Sequence, residues 1–190
     1  MDNLENIGGN KPTVLGKPDT IDIPEGHALQ FDGKDDAILL DTNPISGMGH
    51  FTIEVVFRPD RDGNKEQRFF HIQESDDHRV LIETRLTDDN RWFLDTFVKD
   101  GASEKTLRAK ECLHPVGDWY HIALVYDGKT VRHHVNGIME SREQVAFHPM
   151  QEGKTSIGCR LNRVYWFKGA IRCVRLSSKA IAPDKFLRYE

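Results

Sequence analysis

Histidines in one short stretch are the first groups in this sequence that could do chemistry. Three of the nine histidines, His121, His133 and His134, lie between residues 117 and 137. Imidazoles bind metal ions and transfer protons near neutral pH. In a strand, however, neighbouring side chains point to opposite faces, which places His133 toward the core beside Val131 and His134 on the other face. We therefore expect no shared metal site, and a packed, hydrogen-bonded role for His121.

Acidic residues on separate predicted strands could instead do general acid–base chemistry. The weak catalytic candidates are Glu54, Glu83 and Asp95, with His134 assisting proton transfer. Alternation along the strands does not decide whether these side chains converge, and cross-strand ion pairing on a solvated sheet face is the alternative.

The elements that must position these groups are short strands. Phe51, Ile53, Val55 and Phe57 alternate with more polar side chains, a period of two that predicts a strand over 51–58. Asp-Gly and Asn-Gly turn signals separate many such segments, and only residues 183–190 suggest a short helix. The sequence therefore predicts an all-β protein. Further strands are expected at 28–31, 37–40, 68–73, 80–84, 92–98, 120–126, 130–136, 155–158 and 169–176.

Composition narrows the class of protein further. The chain has 190 residues, and a formal net charge of −4 gives no basic surface for nucleic acid. No apolar run approaches the roughly 18 residues of a membrane span. Residues 1–25, rich in Gly, Pro, Asn and Lys, predict an extended N-terminal arm before one domain at 26–190. Met1–Asn10 lacks a signal-peptide pattern, so the protein is cytoplasmic or its signal has been removed.

Three cysteines argue against a disulfide framework. One disulfide would be compatible with this number. If one forms, the expected pair is Cys159 with Cys173, because these residues fall on strands that we interpret as neighbours. The absence of Cys-x-x-Cys spacing argues against a structural zinc site.

Several motifs in a fixed order give a family resemblance. They are Phe31–Asp36, Phe51–Glu54, Asp118–Gly128, Val135–Gly137 and Phe167–Arg175. Over about residues 26–190 the sequence resembles a laminin-G-like domain of the concanavalin A-like lectin/glucanase superfamily. The resemblance implies an antiparallel jelly-roll β-sandwich of two large sheets, one concave and one convex.

The resemblance also raises the question of calcium. Many relatives complete a structural calcium site with an acid in the last long strand. Here Arg172 occupies that position, so no metal or other cofactor is favoured, and Asp32, Asp35 and Asp36 are weak calcium candidates. Arg172 could instead pair with an acid of this loop.

The same resemblance is compatible with binding proteins and with enzymes. Our first expectation is a non-catalytic, lectin-like carbohydrate-binding domain that acts outside the cytoplasm, in secreted or periplasmic form, beside a polysaccharide-degrading system. The alternative is a glycoside hydrolase or lyase with the acids named above, and the third is a protein-interaction domain. The Tyr165-Trp166 pair in an expected loop suits sugar stacking. The expected ligand-binding residues are Glu54, Arg58, Arg132, His134, Tyr165 and Trp166.

Overall fold

The protein is a sandwich of two antiparallel sheets, as the sequence predicts. The computed structural model describes residues 4–24 and 26–188. Its strands are β1 (Thr13–Leu15), β2 (Asp19–Ile23), β3 (Gly26–Asp32), β4 (Ala37–Leu40), β5 (Phe51–Pro59), β6 (Glu66–Ser75), β7 (His78–Leu86), β8 (Arg91–Asp100), β9 (Ser103–Arg108), β10 (His114–Pro115), β11 (Tyr120–Tyr126), β12 (Thr130–Val135), β13 (Ile138–Gln144), β14 (Lys154–Ile157) and β15 (Lys168–Ser177).

The strands divide into one sheet of eight and one of seven. The eight-stranded sheet runs β1-β4-β14-β6-β7-β8-β10, with β9 also paired to β8. The seven-stranded sheet runs β13-β12-β11-β5-β15-β3-β2. Neighbours in space are often distant in sequence, which is the topology expected of a jelly roll. The described residues contain no helix long and apolar enough to cross a bilayer.

A single apolar core lies between the two sheets. The four β5 residues that were predicted to share a face, Phe51 to Phe57, are all fully buried in it. The Phe57 ring stacks on Phe69 of the opposite sheet at 4.7 Å and meets the edge of Trp92 at 5.2 Å. Aromatic packing across the interface therefore joins the two sheets.

Both chain ends differ in detail from the expectation. In the segment expected as an arm, β1 extends the eight-stranded sheet beside β4, and β2 extends the seven-stranded sheet beside β3. These parts of residues 1–25 are thus edge strands of the sandwich. The expected terminal helix is a single 3₁₀ turn, Pro183–Lys185. Met1–Asn3, Glu25 and residues 189–190 lie outside the described part of the chain.

The paired histidines follow the alternation. His133 is fully buried in the core, where its Nδ1 lies 3.0 Å from Thr96 Oγ1. His134 lies on the opposite face against Phe186, with ring centres 5.2 Å apart. The prediction that these neighbours point apart is confirmed, because the backbone of β12 keeps its pleat relative to β11.

The one cysteine pair that the sequence left open, Cys159 with Cys173, does not form a disulfide. Cys112, Cys159 and Cys173 are all free thiols. Cys159 follows β14 at the eight-stranded sheet, whereas Cys173 lies in β15 of the other sheet. The strands that we interpreted as neighbours therefore belong to different layers. Cys159 is buried, and this burial raises the pKa of its thiol to about 12.

Candidate functional site

The middle strands of the seven-stranded sheet are covered on their outer face by the chain's own C-terminal segment, residues 178–188. Thr52 Oγ1 donates a hydrogen bond to the Lys179 carbonyl at 2.7 Å and accepts one from the Ile181 N–H at 2.9 Å. Phe186 packs beside His121 and His134. This segment occupies the surface above the middle strands of the sheet, so a ligand has no open access there.

Glu54 holds the C-terminal segment to the sheet. Its carboxylate accepts hydrogen bonds from His121 Nε2 at 2.9 Å, the Leu187 N–H at 2.7 Å and Arg175 Nε at 2.5 Å. Burial alone would raise the pKa of Glu54, but these three donors hold it below its ordinary value. The residue is fully buried and ionised, which is the arrangement of a structural anchor.

The three candidate acids, whose convergence the sequence left open, do not lie at one site. Glu54 lies under the C-terminal segment on the seven-stranded sheet, whereas Glu83 and Asp95 lie on the eight-stranded sheet. His134 is buried near Glu54 and far from the other two acids in the layer order. The sheets are separated by the core, and nothing in the strand alternation showed which layer each strand joins.

Two other expected ligand residues also belong to the seven-stranded sheet. The Arg58 guanidinium donates to Asp60 Oδ1 at 3.2 Å and to Gln30 Oε1 at 3.0 Å, and it lies 5.5 Å from the Trp119 ring centre. Arg132 forms an ion pair with Asp127. Both arginines have partners on their own sheet, so the structure does not bring them to Tyr165 and Trp166.

The outer face of the eight-stranded sheet carries a polar groove. Side chains of β6–β9 that point away from the core line it, together with one residue from the loop after β14. Its cavity has a volume of about 180 Å³. We call it the arginine groove, and its lining consists of Arg68, Arg79, Leu81, Glu83, Arg85, Phe97, Thr106, Arg108 and Arg160.

Two carboxylates lie side by side at the floor of the arginine groove. Glu83 and Asp95 are cross-strand partners in β7 and β8, and both are buried. Arg85 bridges them, with Nη2 3.0 Å from Glu83 Oε1 and Nε 3.0 Å from Asp95 Oδ2. Arg108 Nε donates to Asp95 at 2.8 Å, and Arg68 Nε lies 2.8 Å from Glu83 Oε2. Each acid is thus neutralised by arginine, as in the cross-strand ion pairing considered above.

Burial acts against the ionised form of one of these acids. It raises the pKa of Glu83, and the charge of Asp95 adds to the rise, while Arg68 and Arg85 oppose it. A carboxyl group with a raised pKa next to a second carboxylate is a pattern found in acid–base sites as well as in structural pairs. Catalysis therefore needs a separate test.

The loop at 160–166, which we call the aromatic loop, forms one wall of this surface. The Arg68 guanidinium carbon lies 3.6 Å from the Tyr165 ring centre, and the Arg68 N–H donates to the Tyr165 carbonyl at 2.9 Å. Arg163 and Tyr165 both have φ of 59°, a left-handed conformation that costs non-glycine residues on the order of 1 kcal/mol each. The neighbouring contacts hold this strained loop in place.

Tyr165 and Trp166 line a second cavity beside the arginine groove. It has a volume of about 410 Å³ and also includes Asn64 and Glu66. Of the six expected ligand residues, only these two aromatics adjoin the open face. The arginines of the groove were missed, although Arg68 begins the predicted strand at 68–73 and Arg85 follows the predicted strand at 80–84 by one residue. Their shared face depends on strand order.

A third and larger cavity lies on the other side of the aromatic loop. Its volume is about 790 Å³, and Leu161 of the loop contributes to its wall. The remaining lining is polar and comes from the ends of β4, β6 and β14: Asp41, Thr42, Asn43, Gln73, Glu74, Gln151, Glu152, Gly153 and Lys154. The open face therefore offers several adjoining polar depressions, suited to a ligand longer than one residue.

The three acids considered for calcium do lie together. Within residues 4–24 and 26–188, they form the only group of three His, Cys, Asp or Glu side chains able to share an ion, with ligand atoms within 4.8 Å. Asp36 accepts hydrogen bonds from the Lys17 and Asp32 N–H groups, and Asp32 Oδ1 accepts three from the loop backbone, residues 34–36. These oxygens already have donors, and the pairing of Arg172 with this loop stays a prediction.

Calcium removal is therefore expected to leave stability unchanged. Backbone N–H groups already donate hydrogen bonds to the carboxylates of Asp32 and Asp36. A calcium ion would have to displace these donors to bind the same oxygens. The melting temperature should be the same with excess EDTA and with millimolar calcium. A fall in melting temperature with EDTA, restored by calcium and not by magnesium, would contradict this expectation.

Comparisons with known proteins agree with this architecture. A laminin G family model of the concanavalin A-like lectin/glucanases superfamily matches residues 32–185. The chain therefore belongs to this superfamily. No curated protein sequence gives a significant match to the chain.

Solved structures give the same fold at low sequence identity. Domain 4 of AbnA, a GH43 extracellular arabinanase from Geobacillus stearothermophilus, in complex with arabinotriose, superposes with a TM-score of 0.73 at 18% identity, covering 94% of this chain and 87% of that domain. The native heptameric SAP-like pentraxin of Limulus polyphemus gives 0.63 at 14% identity, covering 81% and 76%. The binding domain of botulinum neurotoxin DC, in complex with SialylT, gives 0.64 at 13% identity, covering 92% and 44%.

Proposed function

We propose that this protein is a carbohydrate-binding domain whose site is the open face of the eight-stranded sheet. The observation that carries the proposal is the difference between the two outer faces. Residues 178–188 cover the middle strands of the seven-stranded sheet, which keeps a cavity of about 390 Å³ at its β12–β13 edge. The other sheet presents the arginine groove and two adjoining cavities, which together line a longer surface and include aromatic rings. The superfamily includes lectins, and the arabinanase domain of the same fold is in complex with arabinotriose.

The chemistry of the open face suits a sugar. Guanidinium groups offer several N–H donors in fixed directions, which match hydroxyl and ring oxygens. Phe97 in the groove, and Tyr165 and Trp166 beside it, supply apolar ring surface for the faces of sugar rings. Tyr165 and Trp166 are kept from the sequence-based set of ligand residues, and we assign Arg68, Arg79 and Arg160 in place of the four residues on the other sheet.

A glycoside hydrolase is the second candidate because of Glu83 and Asp95. Their adjacency and the raised pKa of Glu83 favour it. Their burial and their arginine partners favour binding, because a general acid must reach the leaving-group oxygen of the substrate. Glycans that bind should be incubated with the protein and assayed for new reducing ends. Turnover that Glu83→Gln abolishes without loss of binding would establish the enzyme.

The binding proposal predicts a large effect of Arg79→Ala. Arg79 lines the groove, and its guanidinium lies 5.4 Å from the Phe97 ring centre. Losing one charge-assisted contact to a ligand costs about 1.5–3 kcal/mol, or roughly 10- to 100-fold in Kd. We expect the wild-type protein to bind glycans on an array, and the variant to bind the best of them at least tenfold more weakly in calorimetry.

The matched control is Arg142→Ala. Arg142 is an exposed arginine of β13 in the seven-stranded sheet, so this variant loses the same charge at a distant place. Its Kd should stay within about twofold of the wild-type value. Equal weakening by both variants, or binding that ignores Arg79, would contradict the assignment of the site.

A further inference from the structure

We propose that the glycan bound at this face is acidic, and that Arg68, Arg79 and Arg160 hold its carboxylate or sulfate group. The inference rests on the proposed function and names its ligand class. The lining of the arginine groove contains five arginines and one carboxylate, Glu83. The chain as a whole has more acidic than basic residues and a net charge of −4. The groove is thus a local concentration of positive charge on an acidic protein.

Two of the five arginines are neutralised by the protein itself. Arg85 contacts Glu66, Glu83 and Asp95, and Arg108 contacts Asp95. These pairs use the acids of the groove floor. The positive charge of Arg85 and Arg108 is therefore already balanced before any ligand arrives.

The charge of the other three arginines is poorly balanced. Among the described residues, Arg79 has one acidic partner, Asp76, whose carboxylate lies 3.6 Å away and is largely exposed to solvent, and Arg79 also donates to the Asp76 carbonyl at 2.6 Å. Arg68 shares Glu83, and Glu66 at 3.6 Å, with Arg85. Arg160 has no side-chain ion pair or hydrogen bond within the described chain. Burial lowers its pKa, and the charges of Arg79 and Arg68 lower it further, more than Asp76 raises it. Three guanidinium groups thus repel one another at this place, and a bound anion would relieve that repulsion.

A second feature of this face is a buried histidine whose ring N–H has no acceptor among the described residues. His71 of β6 is the cross-strand partner of Leu81, which lines the groove. Its Nδ1 accepts the Leu161 N–H at 3.2 Å, so Nε2 carries the ring hydrogen. This Nε2 is buried without a hydrogen-bond partner within the described residues. Burial, and then the charges of Arg160, Arg79 and Arg68, lower the pKa of His71 to about 3, which keeps the ring neutral.

The chemistry of an acidic sugar matches this arrangement. Arginine binds carboxylate and sulfate oxygens with two parallel N–H bonds, which is stronger and more directional than a contact with a neutral hydroxyl. The acidic surface elsewhere on the chain disfavours a long polyanion such as nucleic acid, so we assign a short charged glycan segment.

The test uses ligand pairs that differ only in charge. Oligogalacturonides are compared with their methyl esters, and heparin oligosaccharides with desulfated, carboxyl-reduced ones, by calorimetry on the whole protein. We expect at least one acidic member to bind at least tenfold more tightly than its neutral counterpart, and its affinity to fall as salt rises. Arg160→Ala should abolish that preference, while Arg142→Ala should keep it. Because Arg160 has no side-chain ion pair or hydrogen bond among residues 4–24 and 26–188, the variant should fold normally, which circular dichroism can verify.

The outcomes separate this inference from the proposed function. Neutral glycans that bind as tightly as acidic ones would overturn the acidic class and leave the carbohydrate-binding function standing. An acidic preference that survives both Arg160→Ala and Arg160→Gln would overturn the assigned site. An oligonucleotide of equal charge that binds as tightly as the best acidic glycan would overturn the glycan assignment. Absence of binding to every glycan would overturn the proposed function as well.

Discussion

Replacement of Glu54 by alanine is expected to lower the free energy of unfolding by about 3–5 kcal/mol. The carboxylate is fully buried and accepts hydrogen bonds from His121, Arg175 and the Leu187 N–H. Its removal leaves the buried His121 ring and the Arg175 guanidinium without their anion, and it releases the C-terminal segment from β5. Guanidinium denaturation of the wild-type protein and the variant measures the difference.

Glu143→Ala provides the control for this prediction. Glu143 is an acidic residue of β13 in the same sheet, with a side chain 46% exposed and only a distant partner, Lys105, at 3.8 Å. Its loss should change stability by less than about 0.5 kcal/mol. If Glu54→Ala kept wild-type stability and instead lost glycan binding, Glu54 would be a ligand residue and the C-terminal segment would not cover it in solution.

Acidification from pH 7 to pH 5 is expected to destabilise the protein through two buried histidines. Burial lowers the pKa of His71 and of His133 to about 3, against an ordinary value of 6.5. Each ring stays neutral when folded and takes up a proton on unfolding. The contribution of each neutral histidine to the free energy of unfolding is therefore fully present above pH 6.5. It declines as the pH falls toward 3 and is smaller by about 2 kcal/mol per histidine at pH 5.

His133→Gln isolates one of these contributions. The raised pKa of Glu83 acts in the opposite direction, because that carboxyl group binds its proton more readily in the folded state. The quantity to compare is therefore the loss of stability from pH 7 to pH 5 in each protein, which should be smaller by about 2 kcal/mol in the variant. Glutamine keeps a polar partner for Thr96, so the variant remains foldable. An identical loss in both proteins would show that His133 is protonated when folded.

Local patterns were sufficient to predict the strands that contribute to the core. The alternation in β5 and in β12 predicted which side chains face the core between the sheets, such as Phe51, Ile53 and His133, because the pleat of a strand fixes this locally. By contrast, β9 and β13 were missed. Both are edge strands of mostly polar residues, Ser103–Arg108 and Ile138–Gln144, and have no apolar alternation to mark them.

The site could be predicted only in part, because it depends on which strands are neighbours. Glu54 had the pattern of a solvent-facing residue, and nothing in the composition of residues 178–188 showed that this segment returns to cover it. The arginine groove combines side chains from β6, β7 and the aromatic loop, namely Arg68, Arg79 and Arg160. These side chains lie close together only because of the order of strands in the sheet. Tyr165 and Trp166 entered the sequence-based set because an aromatic pair in an expected loop is unusual, and their role in binding stays a prediction.

The most direct test of the central claim is chemical-shift mapping of the ¹⁵N-labelled protein during titration with its best array glycan. We predict that the perturbed amides cluster in β6–β9 and in the aromatic loop at 160–166, which surround the arginine groove. Amides of residues 178–188 and of β11–β13 should keep their positions. Perturbations confined to the seven-stranded sheet and its covering segment would contradict the account. They would place the ligand on the sheet whose middle strands are covered by residues 178–188.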